Sequence, residues 1–152
     1  MDYHNLKQRM HQQCLAIIKE RLDTIIANLD ALMDAKTSET KSSAGDKYET
    51  GMAMIQNQEE LYTKQRAETS NIYNAMLRID SSRPCEQVEN GALILVPGSL
   101  FYICAGMGRL VLDDNAYFAI SLSSPIGAAL KFKKAGSFYT YNDKNVPINS
   151  IY

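Results

Sequence analysis

An α+β fold, in which an N-terminal antiparallel helical hairpin precedes a small, mostly antiparallel sheet carrying one short helix, follows from three observations. Residues before Pro84 carry helical periodicity in two long stretches. Residues after it carry short apolar runs separated by turn residues. The length, 152 residues, suits a helical module plus a small globular one.

Residues 5–34 read as the first helix. Leu22, Ile25, Leu29 and Leu32 keep a 3-4-3 spacing, and Cys14 and Ile18 extend the stripe toward the N-terminus. Lys19, Glu20, Asp23 and Asp30 fill the opposite face, and no Gly or Pro interrupts the segment. Thirty helical residues would make a rod roughly 45 Å long. Residues 35–45 are small and polar, which is loop chemistry. The helical pattern resumes from about Asp46 to Ile79, with Met52, Ile55, Tyr62, Ile72, Met76 and Ile79 near one side. Gln58 and Gln65 interrupt that side, which suits the narrow seam of a two-helix coiled coil better than a globular bundle. A short link between two long helices favours an antiparallel hairpin. Asp80-Ser81-Ser82-Arg83-Pro84 marks the boundary, because Pro84 cannot continue a helix. The expected division is a hairpin over residues 1–80 and a β domain over 85–152.

In the second half, Ala92–Val96 and Leu100–Cys104 flank Pro97-Gly98-Ser99 and read as a strand pair. Arg109–Leu112 and Tyr117–Leu122 flank the turn Asp113-Asp114-Asn115. Phe138–Tyr141 and Val146–Ile151 flank Asn142-Asp143-Lys144-Asn145. A short helix is expected over Pro125–Leu130, with Ser124 as N-cap and Pro125 at the first helical position.

Composition narrows the function classes. Residues 1–80 carry ten basic and twelve acidic side chains, and residues 81–152 carry six and five. Neither half is a polyanion-binding surface, so sequence-specific DNA binding is disfavoured. No apolar run is long enough to span a membrane, and the N-terminus lacks signal-peptide features. A cytoplasmic protein with no membrane partner is therefore expected. Cys14, Cys85 and Cys104 are odd in number and far apart in sequence, which argues against zinc or a disulfide framework. Cys14 and Cys104 are expected to pack in the core as reduced thiols. His4 and His11 are one heptad apart without a third ligand nearby, and are expected to be solvated. No Cys/His nucleophile constellation is readable.

The segment Ser42-Ser43-Ala44-Gly45-Asp46-Lys47-Tyr48-Glu49-Thr50-Gly51 lies between the two helices and carries Asp46 and Glu49 at i,i+3. On a helix that spacing puts both carboxylates on one face, one turn apart. Asp46-x-x-Glu49 has the form of a capping box, and Ser43-x-x-Asp46 fits the same template one turn earlier. Acidic side chains in a first turn also suit the helix dipole. Capping and presentation to something outside the protein are both open on spacing alone.

Gly45-Asp46-Lys47-Tyr48-Glu49-Thr50 resembles the Gly-Asp-x-x-Glu-Asn tip of the bacterial Gre transcript-cleavage factors, with Thr50 replacing the family's Asn and Gly51-Met52-Ala53 replacing its acidic or aromatic residues. Ile120-Ser121-Leu122-Ser123-Ser124-Pro125-Ile126-Gly127-Ala128-Ala129-Leu130, followed by Lys133-Lys134-Ala135-Gly136, is similar to the Gre C-terminal domain. Here Lys131-Phe132 takes the place of the usual Leu-Gly, and Ser137 replaces an Asp. The resemblance implies an FKBP-like second domain that docks at the rim of the RNA-polymerase secondary channel, and a coiled coil that enters it. It implies that Asp46 and Glu49 act catalytically, by sharing the second magnesium ion of the polymerase active site. It also implies that Ser124, Pro125, Lys133 and Lys134 contact the partner. The protein would then be an accessory factor and not itself an enzyme, with no cofactor of its own. RNA polymerase is the expected partner, and the nascent RNA 3′ end a further contact. The alternatives are a channel-binding regulator without cleavage activity, a coiled-coil interaction module in which Asp46 and Glu49 only cap, and a prolyl isomerase. The strand aromatics Tyr102, Tyr117, Phe118, Phe138, Tyr139 and Tyr141 are explained more simply by sheet packing than by an isomerase pocket.

Overall fold

The computed structural model describes the backbone of residues 1–41 and 45–152, and the side chains outside residues 39–47. Two long helices packed against each other precede a small, antiparallel-rich sheet and one short helix, an α+β fold. Helix α1 spans Tyr3–Lys41 and α2 spans Gly45–Leu77. Asp2 caps α1 by accepting the Asn5 amide at 3.1 Å.

Residues 35–41, expected to be a loop, are helical. Two of the polar side chains that suggested a loop, Thr37 and Ser38, bond back into the helix. Thr37 Oγ1 donates to the Met33 carbonyl at 3.1 Å, and Ser38 Oγ to that of Asp34 at 3.2 Å. Such back-bonding gives a Ser or Thr hydroxyl a partner within a helix. Lys36 Nζ reaches Glu59 Oε2 of α2 at 3.5 Å, which fits antiparallel pairing of the two helices. Ser43 lies outside the described residues, as does the side chain of Asp46.

The chain divides into two compact units, Met1–Ala16 with Ala75–Tyr152, and Ile17–Asn74. The first turns of α1 are thus counted with the sheet. Burial along α1 follows this division. Leu6, Lys7, Met10, His11 and Cys14 are all buried, a broad face. Further along, burial narrows to Ile25 and Leu29, with Leu22 and Leu32 half-buried, as a two-helix seam requires. The α2 side of that seam is Ile55, Gln58, Tyr62 and Gln65, all half-buried, then buried Thr69. Ile72, expected on this side, is exposed; Thr69 and half-buried Tyr73 carry the seam past it.

The sheet unit has seven strands: β1 Leu93–Val96, β2 Ser99–Ile103, β3 Gly108–Leu112, β4 Asn115–Ile120, β5 Phe138–Tyr141, β6 Lys144–Pro147 and β7 Ser150–Ile151. Five form one sheet in the order β3-β4-β2-β1-β7, and β5-β6 form a separate hairpin. The pairing of β2 with β4 is parallel and the others are antiparallel. Both β3-β4 and β5-β6 turn through two residues with positive φ, Asp113 (48°) with Asp114 (62°), and Asn142 (52°) with Asp143 (60°). That is the type I′ geometry that Asn and Asp tolerate and that matches strand twist. The single run expected over Val146–Ile151 is instead two strands in different sheets. Its middle crosses between them: the Ile148 amide donates to Ser137 O and the Asn149 amide to Leu95 O, each at 2.8 Å. Ile148 is buried at that crossing.

Strand alternation gives the sheet two apolar faces. Ile94, Val96, Phe101 and Ile103 face a core completed by Leu130 of α3 (Pro125–Leu130), Tyr139 of β5 and Ile148. Leu93, Tyr102, Tyr117 and Ala119, of opposite parity, are buried as well. Tyr102 and Tyr117 meet side chains from the first turns of α1. Helix α3 begins where the sequence places it. Ser124 Oγ accepts the Gly127 amide at 3.0 Å and donates to Ser121 O at 2.7 Å.

Candidate functional site

Three groups of side chains carry chemistry. The first is the acidic pair of the hairpin. Helix α2 opens at Gly45, so Asp46 and Glu49 fall in its first two turns, at i,i+3 on the backbone. Glu49 is exposed and Tyr48 half-buried, while the Asp46 side chain lies outside the described residues. Among the described residues no cluster of three or more His, Cys, Asp or Glu is placed to hold a metal.

The second group surrounds α3. Ser124 is consumed as the N-cap, its hydroxyl both accepting and donating. Pro125 fixes the first helical residue and lacks the amide that would be orphaned there. Lys131, Lys133 and Lys134 are exposed. Their backbone is tied down, since Val88 N donates to Lys133 O at 2.9 Å and Phe132 N to Val88 O at 3.0 Å. Phe132 is 61% exposed at φ 63°, with Lys131 Nζ 5.1 Å from its ring centroid. An exposed aromatic residue in the left-handed region is uncommon, and the Val88 bond helps hold it there. The acidic pair and this lysine turn belong to different units.

The third group joins residues that sequence reasoning kept apart. His11, expected to be solvated, is buried. Tyr102 Oη lies 2.8 Å from its Nδ1, a hydrogen bond between the phenol and the imidazole. Burial holds His11 below the ordinary imidazole value, opposed by a bond to the Met76 backbone. Tyr117 Oη donates to Gln13 Oε1 at 2.7 Å and stands 3.4 Å from Cys14 Sγ. Gln13 Nε2 in turn donates to the Val111 carbonyl on edge strand β3 at 3.0 Å. Cys104 Sγ stands 3.8 Å from the Ala105 carbonyl, and burial contributes to raising its thiol. Burial pushes both phenols up, Tyr102 and Tyr117 alike. Nearby, Lys7 is buried and donates to the Arg83 carbonyl at 2.7 Å, and burial lowers its ammonium. Cys85 reaches the same carbonyl at 3.8 Å, and burial raises its thiol.

A signal for this cluster exists in the sequence. His11-x-x-Cys14 shares a helix face and Tyr102-x-Cys104 shares a strand face. What spacing lacks is the non-local step that lays one face on the other. Among the described residues no helix is long and apolar enough to cross a membrane. Comparison with protein-family models and with curated proteins finds no match.

Proposed function

We propose that this protein is a Gre-like RNA-polymerase secondary-channel factor. In this reading the sheet unit anchors on the polymerase and the hairpin enters the channel. The observation that carries it is the helical hairpin whose second helix opens at Gly45, with exposed Glu49 one turn beyond Asp46. The order of hairpin, then sheet, then a Ser-Pro-initiated α3 supports it further. Magnesium takes oxygen ligands and keeps several waters, so two added carboxylates are enough to share an ion already held by the polymerase. Bound there, that ion would stabilise the attacking and leaving oxygens of a phosphodiester. The chain itself presents Asp46 and Glu49 to the ion and to the RNA 3′ end, and offers Lys133 and Lys134 as docking cations. It is an accessory factor and acts in the cytoplasm, where the polymerase is.

A second reading, a channel-binding regulator that does not promote cleavage, is favoured by Thr50 and Gly51. They stand where the family has residues that flank its carboxylates. Polymerase association is common to both readings. Affinity capture with bacterial RNA polymerase, and competition with a channel-binding cleavage factor at micromolar protein, tests it. Saturable, competed binding supports the proposal; absence of both overturns it.

A further inference from the structure

Between residues 131 and 144, within the sheet unit, Lys131, Lys133, Lys134 and Lys144 face a single acid, Asp143. Every residue from Lys131 to Gly136 is exposed. Among the described residues none of these lysines is in an ion pair. Two exposed aromatic rings, Phe132 and Phe138, lie in the same stretch. The turn Lys134-Ala135-Gly136-Ser137 reverses the chain between them. It is closed by the Ser137 amide donating to Lys134 O at 3.2 Å, with Gly136 at φ 84°. Lys133 and Lys134 therefore lie beside the start of β5, where Phe138 stands. Tyr139 is buried, so Phe138 and Thr140 point to the opposite, solvent face, and exposed Asn145 pairs across from Thr140.

We propose that this turn and the outer face of β5-β6 bind single-stranded nucleic acid, with Phe132 and Phe138 as stacking platforms for bases and Lys131, Lys133 and Lys134 as phosphate contacts. Each nucleotide brings a flat π-face and a negative charge, and this surface holds a partner for both. An acidic protein segment brings the charge without the ring. The core of a protein interface is depleted of charge, whereas Phe132 has a lysine on either side in sequence. Lys131 Nζ lies 5.1 Å from the Phe132 ring centroid, so cation and ring are presented together. Thr140 and Asn145 add hydrogen-bonding groups on the Phe138 face for sugars and base edges. Stacking tolerates any base, which agrees with a chain whose charge disfavours sequence-specific DNA binding.

The backbone at Phe132 supports the same assignment. Its φ of 63° is a conformation that glycine adopts without steric cost and a bulky side chain does not. Phe132 directly follows Lys131, the C-cap of α3, a place where glycine commonly ends a helix. Three backbone bonds hold the conformation: Phe132 N to Val88 O at 3.0 Å, Val88 N to Lys133 O at 2.9 Å and Lys133 N to Leu130 O at 3.0 Å. The ring gains little burial in return, since it is 61% exposed. Packing within the chain does not explain an outward ring at a strained position, and contact with an outside molecule does. The polymerase reading uses Lys133 and Lys134 as cations and gives neither ring a role, so the inference does not rest on it.

The test is fluorescence anisotropy of the full chain with a labelled single strand of roughly 15 nucleotides, as RNA and as DNA, and with a duplex of the same sequence. No polymerase is present, so failure here leaves the polymerase reading untouched. The expected result is saturable binding of a single strand at micromolar protein in about 50 mM salt, with the duplex bound more weakly. The association constant should fall with salt at a log–log slope of about −2, as three phosphate contacts give. Phe132→Gly suits the backbone and removes only the ring, so it should weaken binding roughly tenfold while the melting temperature holds or rises. Phe138→Ser, on the outer face of β5, should weaken binding as well. Lys133→Gln combined with Lys134→Gln should reduce the slope to about −0.7. Lys64→Gln, in the other unit, should change nothing. No saturable binding of either strand, a duplex bound as tightly as the single strand, or full affinity in both Phe132→Gly and Phe138→Ser would overturn the proposal. Binding of polyglutamate in place of nucleic acid would give the surface to an acidic protein segment and overturn it too.

Discussion

At Gly127, a Cβ would stand 2.0 Å from the Ser121 carbonyl oxygen and 2.9 Å from Leu122 Cα. Both are backbone atoms, so neither can swing aside. Gly127→Ala should therefore cost about 3 kcal/mol, an overpacking effect read by urea denaturation. Ser124→Ala, which removes the cap, should cost only about 1 kcal/mol. Equal costs would show that α3 is not held against the chain as described. His11 gives a pH signature. Its folded pKa is depressed, so the unfolded chain binds the extra proton first as pH falls. Stability is present in full above the ordinary imidazole value, near 6.5, and is lost as pH falls through that value toward the folded one. Melting temperature should drop between about pH 7 and 5, and His11→Gln should flatten that drop. A parallel curve for the variant would remove His11 from the cause. The Ser124-Pro125 start of α3 is legible in sequence because capping is local chemistry. The burial of His11 is not, because nothing in its helical neighbours says that Tyr102 will cover it.

The seam of the hairpin is polar for its length, with Gln58, Gln65 and Thr69 at inward positions of α2. Polar residues at seam positions lower stability and fix register. Gln65→Leu should raise the stability of the hairpin by about 1 kcal/mol through added apolar burial, measured as a higher midpoint of helical circular dichroism. No change would place residue 65 off the seam. Element by element, legibility tracked how local the deciding contacts are. The two type I′ turns announce themselves through Asp113-Asp114 and Asn142-Asp143. The helix through residues 35–41 does not, because Thr37 and Ser38 look like loop residues until their hydroxyls are seen to bond back into the helix. The parallel β2–β4 pairing and the transfer of β7 to β1 depend on partners distant in sequence. The i,i+3 spacing of Asp46 and Glu49 is readable in the sequence, whereas the meeting of Tyr117 with Gln13 and Cys14 depends on the start of α1 lying on the sheet.

Burial is concentrated in the unit formed by Met1–Ala16 and Ala75–Tyr152, which holds Tyr102, Tyr117, Leu93, Ile94, Ile103 and Leu130 fully buried. Among the described residues of the unit Ile17–Asn74, few side chains are buried fully or nearly so, Ile18, Ile25, Leu29 and Thr69 among them. Local stability follows buried contact, so native-state hydrogen exchange should protect β1, β2 and β4 most and the hairpin amides less. Equal protection across both units would contradict that ranking. Under the proposed polymerase role, a hairpin less protected than the sheet unit would suit a probe that enters another molecule. The most direct measurement of that role is transcript cleavage in a stalled, backtracked polymerase complex, with wild type, Asp46→Asn and Glu49→Gln compared at equal occupancy. Both variants keep side-chain size, and with α2 opening at Gly45 both positions lie inside its first two turns, so neither change removes a cap. Loss of a first-turn charge should cost only about 0.3–1 kcal/mol of helix stability. The expected result is stimulation by wild type that each variant loses almost entirely, with polymerase binding and melting temperature nearly unchanged. Undiminished stimulation by both variants would contradict the role given to the acidic pair.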